Sequence, residues 1–116
     1  MKKEEIKSEE DLINLLSNKT EFERDVLVAT FKIPKGKVST YKRIAKKIRR
    51  PRAYRAVGNA LHKNTLAPIV PCHRVVRSDG RFGGEKKGAE SRRSLLEKEG
   101  IPIEYGRVKI SEEILI

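Results

Sequence analysis

Between Tyr41 and Leu61 two apolar stripes run at helical spacing, with a proline between them. Tyr41, Ile44, Ala45 and Ile48 fall at i, i+3, i+4 and i+7, and Ala53, Ala56, Val57, Ala60 and Leu61 form the second stripe. This periodicity predicts two short amphipathic helices. A tight turn at Arg49–Arg52 joins them, with Pro51 near the start of the second. Two short helices joined by a few-residue turn, one of them with a basic face, match a helix-turn-helix. Ala53, Ala56 and Gly58 are small enough to let the second helix approach a groove closely. They serve equally well for packing helix on helix, and both readings stay open.

The flanking segments read as further short elements. Ser8, Glu9, Glu10 and Asp11 precede Leu12, Ile13, Leu15 and Leu16, which suits an acidic first turn and a helix to about Leu16. That helix is expected to cover apolar surface of the one that follows. Thr20 with Glu23 forms a capping box ahead of Phe22, Val26, Ala29 and Ile33, and Pro34 to Gly36 ends that helix. Lys37–Thr40 is a brief extended piece, with Ser39 or Thr40 as the next cap. Leu66–Val70 and His73–Val76 read as extended chain, and Arg77–Gly84 as a hairpin or wing around Ser78, Asp79 and Gly80. Gly88–Lys98 is helical, with Gly100 as a C-terminal cap. Ile101–Ile110 is extended, and the last six residues pack or fray. The expected fold is mostly α with short β elements, a winged helix-turn-helix-like domain without internal repeats or a dividing linker.

Charge narrows the partner. The 116 residues carry 27 Lys and Arg against 16 Asp and Glu, a formal net charge of +11. The excess lies in residues 26–93, at +16, between ends of −3 and −2, and Tyr41–Arg55 holds eight Lys or Arg and no acid. A Lys-rich face is often merely solvated. Where it meets a ligand, nucleic-acid phosphates are favoured, because each neutralised phosphate releases counterions. An anionic membrane surface is the weaker rival, since the apolar faces are short and needed for the core. No apolar run approaches the ~18–20 residues of a membrane span, and the charged first residues lack a signal core. One Cys and two His exclude a disulfide framework and an ordinary structural zinc site. The chain is expected to be cytoplasmic and nucleoid-associated, without metal or cofactor.

The lone thiol, Cys72, lies between Pro71 and His73 just after the basic helices. Without context such a Cys is a small buried hydrophobe. As a nucleophile it needs a base, since a free thiol is only about 3% thiolate at neutral pH, and the base needs an orienting carboxylate. His73 is adjacent, yet neighbours on a strand point to opposite faces, so contact requires a turn here or an intervening water. His62, on the second helix, is the other histidine.

Pro71-Cys72-His73-Arg74-Val75 resembles the active-site signature of the O6-alkylguanine-DNA alkyltransferase family. Ile33, Pro34, Gly36 and Val38, then Tyr41, then Arg55-Ala56-Val57-Gly58, Asn64, Leu95-Leu96 and Glu99-Gly100 match in order. The resemblance covers 20–100, the DNA-binding and catalytic domain of that family. It leaves 1–19 as a helical extension and 101–116 as an extended tail of one domain spanning 1–116. The N-terminal domain that many members carry has no counterpart here. The resemblance implies direct repair of DNA: Cys72 accepts the alkyl group from O6 of a flipped-out guanine as an irreversible thioether, once per molecule. It further implies His73 as the water-mediated base, Glu99 orienting His73, and Asn64 bracing the turn before the active-site strand. Tyr41 would crowd the target's 3′ phosphate and rotate the nucleotide, Arg55 would fill the vacated stack, and Thr40, Ala56 and Gly58 would lie against DNA. Val75 would line the base pocket. The implied partner is double-stranded DNA entered through the minor groove, by a monomer, with base flipping costing a few kcal/mol.

Three positions depart from the family pattern. Glu85 stands where members usually carry Tyr, and Tyr54 and Asn59 replace smaller residues on the second helix. The short length and the stretch around Tyr105, Gly106, Arg107 and Val108 also resemble alkyltransferase-like proteins, which hold O6-alkylguanine without repairing it and lack the Cys. The presence of Cys72 favours the enzyme over that lesion-sensing alternative. A winged-helix regulator with an inert buried Cys is the third reading, and it leaves Arg55, Asn64, Cys72, His73 and Glu99 without a purpose.

Overall fold

A computed structural model describes residues 6–64, 66–67 and 69–116. Helix α1 (Glu9–Leu15) is capped by the Ser8 hydroxyl, which accepts from the Asp11 N–H at 3.2 Å. Helix α2 (Glu21–Phe31) is capped in the same way by Thr20 on Glu23, at 3.1 Å. Leu12 and Leu16 are buried with Val26 and Leu27 of α2 in one cluster, so the first helix does cover the second. Thr30 is fully buried because its hydroxyl donates to the Val26 carbonyl at 2.8 Å, leaving no polar group unpaired.

The helix-turn-helix follows. Strand β1 (Ser39–Thr40) runs into α3 (Tyr41–Lys47), which Thr40 caps through Arg43 N–H at 3.1 Å. Arg49, at φ 63, turns the chain, and α4 (Tyr54–His62) crosses back. Ile44, Ala45, Val57, Ala60 and Leu61 face inward against α2. Helix α4 begins three residues after Pro51, later than the proline suggests. The Ala53 N–H is taken by the Arg50 carbonyl at 2.9 Å, which keeps Pro51 and Arg52 in the turn.

Beyond α4 the chain differs from the extended reading. Pro68 lies outside the described residues, but on either side of it Leu66 and Val70 are drawn together, the Val70 N–H bonding the Leu66 carbonyl at 3.0 Å. Cys72–Arg74 is a 3-10 turn, and only Val75–Val76 (β2) is strand, paired parallel to β1 with Ser39 opposite Val75 and Thr40 opposite Val76. Short apolar runs cannot be told apart by periodicity, and here local hydrogen bonds decide them. Arg77–Gly84 opens with the expected tight hairpin turn, though no strand ladder extends it: the Gly80 N–H bonds the Arg77 carbonyl at 2.8 Å, the Arg77 N–H bonds the Arg81 carbonyl at 2.9 Å, and Gly80 takes φ 85. A further hairpin, with paired antiparallel strands, follows: β3 (Ile103–Glu104) with β4 (Arg107–Val108), around Tyr105 and Gly106 at φ 53 and 75.

Helix α5 (Lys86–Lys98) ends where Gly100 takes φ 85. The Gly100 N–H bonds the Glu97 carbonyl at 3.1 Å and the Ile101 N–H bonds that of Leu96 at 3.0 Å, a Schellman ending. A second cluster, Val38, Val76, Leu96, Ile101 and Val108, sits under the hairpin. The last residues pack: the Val38 N–H bonds the Ile114 carbonyl at 2.8 Å, and the Ile116 N–H that of Val38 at 2.9 Å. The fold is mostly α with short β elements and helix-turn-helix-like. Among the described residues no helix is long and apolar enough to cross a membrane.

Candidate active site and nucleic-acid interface

The 3-10 turn resolves the difficulty that adjacent residues pose on a strand. With three residues per turn, Cys72 and His73 diverge by about 120° rather than pointing to opposite faces. Cys72 is half-buried and His73 only 3% exposed. His73 Nε2 lies 2.9 Å from Glu99 Oε2, which leaves Nδ1 as the nitrogen able to take a proton.

Glu99 occupies the C-cap of α5, an unfavourable end for an acid because the helix dipole is negative there. Arg74 compensates. Its Nε donates to Glu99 Oε1 at 2.9 Å and its Nη2 to Oε2 at 2.8 Å, a two-pronged pair, while its Nη1 donates to the Ile33 carbonyl at 2.8 Å. The Arg74 hydrogen bonds, joined by that of His73 and opposed by burial, hold the Glu99 carboxyl down at about 2. Arg74 thus ties the end of α2, the turn of Cys72–Arg74 and the end of α5 together. Sequence reasoning did not single it out. The signal was present: a cation inside the apolar run from Pro71 to Val76 must find a carboxylate when it is buried.

Asn64 closes the loop before the turn. Its Nδ2 donates to the Val70 carbonyl at 3.1 Å, and its Oδ1 accepts from the Leu66 N–H at 2.8 Å. Val75 is buried beside Cys72, in β2.

Tyr41, half-buried at the head of α3, stands between this turn and the glycines before α5. The Gly83 backbone faces its hydroxyl, and a Cβ built on Gly83 would fall 2.8 Å from that oxygen, so a side chain there would have to push the ring tip aside. The Gly83 carbonyl in turn accepts from Arg92 Nη2. Burial raises the Tyr41 pKa against the pull of Arg92, with Cys72 adding to the rise. His62 meets the Tyr41 ring edge-on at 6.5 Å, and burial followed by Arg92 lowers its pKa. Arg92 and His62 therefore belong to the surroundings of Tyr41, a grouping the sequence alone does not reveal.

The remaining predicted contacts lie on the cationic face. Arg55 and Ala56 are exposed in the first turn of α4, and Gly58 is half-buried, its Cβ position 3.7 Å from the Tyr41 ring. Thr40 is 4% exposed and its hydroxyl serves α3 as cap, which places it beneath this face. Glu85 is exposed at the N-cap of α5 and caps nothing through its side chain. Helices α1 and α2 open on acidic residues, whereas α3, α4 and α5 have none in their first turns. Among the described residues no group of three or more His, Cys, Asp or Glu could hold a metal.

Residues 21–101 match the profile of the 6-O-methylguanine DNA methyltransferase, DNA binding domain. A methylated-DNA–protein-cysteine methyltransferase of Methanosarcina barkeri is 45% identical over 87 residues, covering 75% of this chain and 55% of that protein. The protein of the same name from Methanothermobacter thermautotrophicus is 40% identical over 85 residues, 73% of this chain and 47% of its own. The chain thus spans about half the length of these relatives. The Mycobacterium tuberculosis O6-methylguanine methyltransferase is similar in structure with a TM-score of 0.66 at 44% identity, over 69% of this chain and 48% of that one. The S. pombe protein Atl1, in complex with damaged DNA containing O6-carboxymethylguanine, gives 0.74 at 34% identity, over 83% and 94%.

Proposed function

This chain belongs to the 6-O-methylguanine DNA methyltransferase DNA-binding-domain family, and from that premise we propose that it repairs O6-alkylguanine in duplex DNA by moving the alkyl group onto Cys72. The observation that carries the reading is the 2.9 Å contact between His73 and Glu99 on a turn that begins with Cys72.

The Cys72 thiol gives its proton, through a water, to His73 Nδ1, and Glu99 stabilises the resulting imidazolium. The Cys72 sulfur attacks the alkyl carbon; the carbon–sulfur bond forms as the bond from carbon to O6 breaks. The electron pair of that bond leaves with guanine, which takes up one proton. The thioether is stable to water, so each molecule acts once, with no cofactor.

An O6 atom stacked inside the duplex is out of reach of a half-buried sulfur, so the nucleotide must leave the stack, at a cost of a few kcal/mol. Arg55 takes the vacated space and Tyr41 guides the nucleotide, while Ala56 and Gly58 allow close approach of α4 to the minor groove. Val75 lines the pocket wall. Glu85 faces solvent and leaves proton delivery to other groups. The cationic face of α3 and α4 supplies the sequence-independent affinity.

The fold shared with S. pombe Atl1 favours a second reading, a protein that holds the lesion and leaves it intact. The two separate when the chain is incubated with a duplex carrying one O6-methylguanine and the DNA is digested to nucleosides. Repair predicts one guanine restored per protein molecule and none with Cys72→Ala. Tight lesion-selective binding with the O6-methyl group left in place establishes holding and removes the enzyme.

A further inference from the structure

Tyr54 is a departure from the family pattern that the proposed chemistry leaves unused. It is 37% exposed at the first position of α4, next to Arg55. With Tyr41, Lys42, Arg77, Ser78 and Asp79 it lines a cleft of about 300 Å³ between the two helices and the turn after β2. Tyr41 is shared between this cleft and the surroundings of Cys72, so a nucleotide in the cleft neighbours the one presented to the thiol.

We propose that this cleft is a subsite for the nucleotide flanking the flipped lesion, whose base stacks on Tyr54 while its phosphate is held by Lys42 and Arg77. The inference rests on the DNA-repair reading above and assigns a residue that sets affinity for the lesion's immediate context. Lys42 Nζ now lies 5.3 Å from the centre of the Tyr54 ring. A cation over a ring at an exposed site is weakly held. Lys42 therefore exchanges the ring for a phosphate oxygen and uncovers the face that the base then takes. Arg77 is shared with Asp79, its Nε 3.9 Å from the carboxylate, and Arg81 reaches the same carboxylate at 3.7 Å. Three cations against one acid leave the cleft positive. Stacking on an aromatic ring tolerates any base, because each has a π face. The subsite thus responds to the presence of a flanking base rather than to its identity.

A double-mutant cycle between protein and DNA tests this. Binding of the full chain is measured in a Cys72→Ala background, which prevents transfer, on duplexes containing O6-methylguanine with each neighbouring nucleotide either intact or abasic. Tyr54→Ala is expected to weaken binding to the intact duplex by about 5- to 100-fold, and Tyr54→Phe to stay within about twofold of the parent. On the duplex whose occupied flank is abasic, the loss from Tyr54→Ala vanishes. Lys42→Gln and Arg77→Gln each reduce the salt slope by about one. An equal loss from Tyr54→Ala on intact and abasic duplexes, or no loss on either, overturns the subsite while leaving the repair reading in place. Failure of the parent to bind any lesion duplex overturns both.

Discussion

Replacing Glu99 by Gln removes one charge from the contact that joins three parts of the molecule. The carboxylate accepts two hydrogen bonds from Arg74 and one contact from His73, with its side chain 13% exposed. Its pKa falls from an ordinary 4.5 to about 2. A shift of that size corresponds to about 3 kcal/mol of stability. Because the folded value is the lower one, this contribution is fully present above the unfolded pKa and is lost as pH falls towards 2. Gln mimics the protonated acid, so the gap between parent and Glu99→Gln is itself pH-dependent. Urea melts are expected to show a gap of about 3 kcal/mol at pH 7, nearly the same at pH 5, and less than half of it at pH 3. Alkyl transfer by the variant is slower as well, because the imidazolium loses its counter-charge. A gap that stays constant from pH 7 to pH 3, or a variant as stable as the parent at pH 7, refutes the reasoning.

Two further substitutions probe the same framework. Asn64→Ala leaves the Leu66 N–H without its acceptor and the Val70 carbonyl with the Cys72 N–H alone, and is expected to cost about 1–3 kcal/mol in urea melts. It should slow transfer in proportion to how far the turn carrying Cys72 loosens. Gly83→Ala brings a methyl against the Tyr41 hydroxyl and is expected to cost about 1–3 kcal/mol; adding Tyr41→Phe, which removes the clashing oxygen, should recover most of that stability.

The parts of the molecule legible in the sequence are those where a local rule and the packing agree. Thr20 with Glu23, and Thr40 ahead of Tyr41, announce helix starts through a side chain that reaches its own first turn. The stripes Tyr41–Ile48 and Ala53–Leu61 announce the helix-turn-helix because one face of each is buried against α2. Legibility fails where distant partners decide. Leu66–Val70 looks like strand, but Asn64 bonds both Leu66 and Val70 and draws them together. Ser78, Asp79 and Gly80 announce the hairpin turn at Arg77–Gly84, but not its distant neighbour Val108, whose N–H bonds the Gly80 carbonyl at 2.9 Å. Cys72 and His73 were readable as residue types, whereas the turn that orients them was not. Arg74 was hidden for the same reason, since its value lies in Glu99 and Ile33, 25 and 41 residues away. The grouping of Tyr41, His62, Gly83 and Arg92 likewise exists only once α3, α4 and α5 are brought together.

The central claim is that Cys72 is the acceptor of an alkyl group from DNA. Intact-mass measurement of the chain after incubation with an O6-methylguanine duplex, followed by peptide mapping, tests it most directly. Each molecule is expected to gain one methyl group in place of the thiol proton, located on Cys72, and Cys72→Ala to gain none. An unchanged mass for the intact chain bound to that duplex would contradict it.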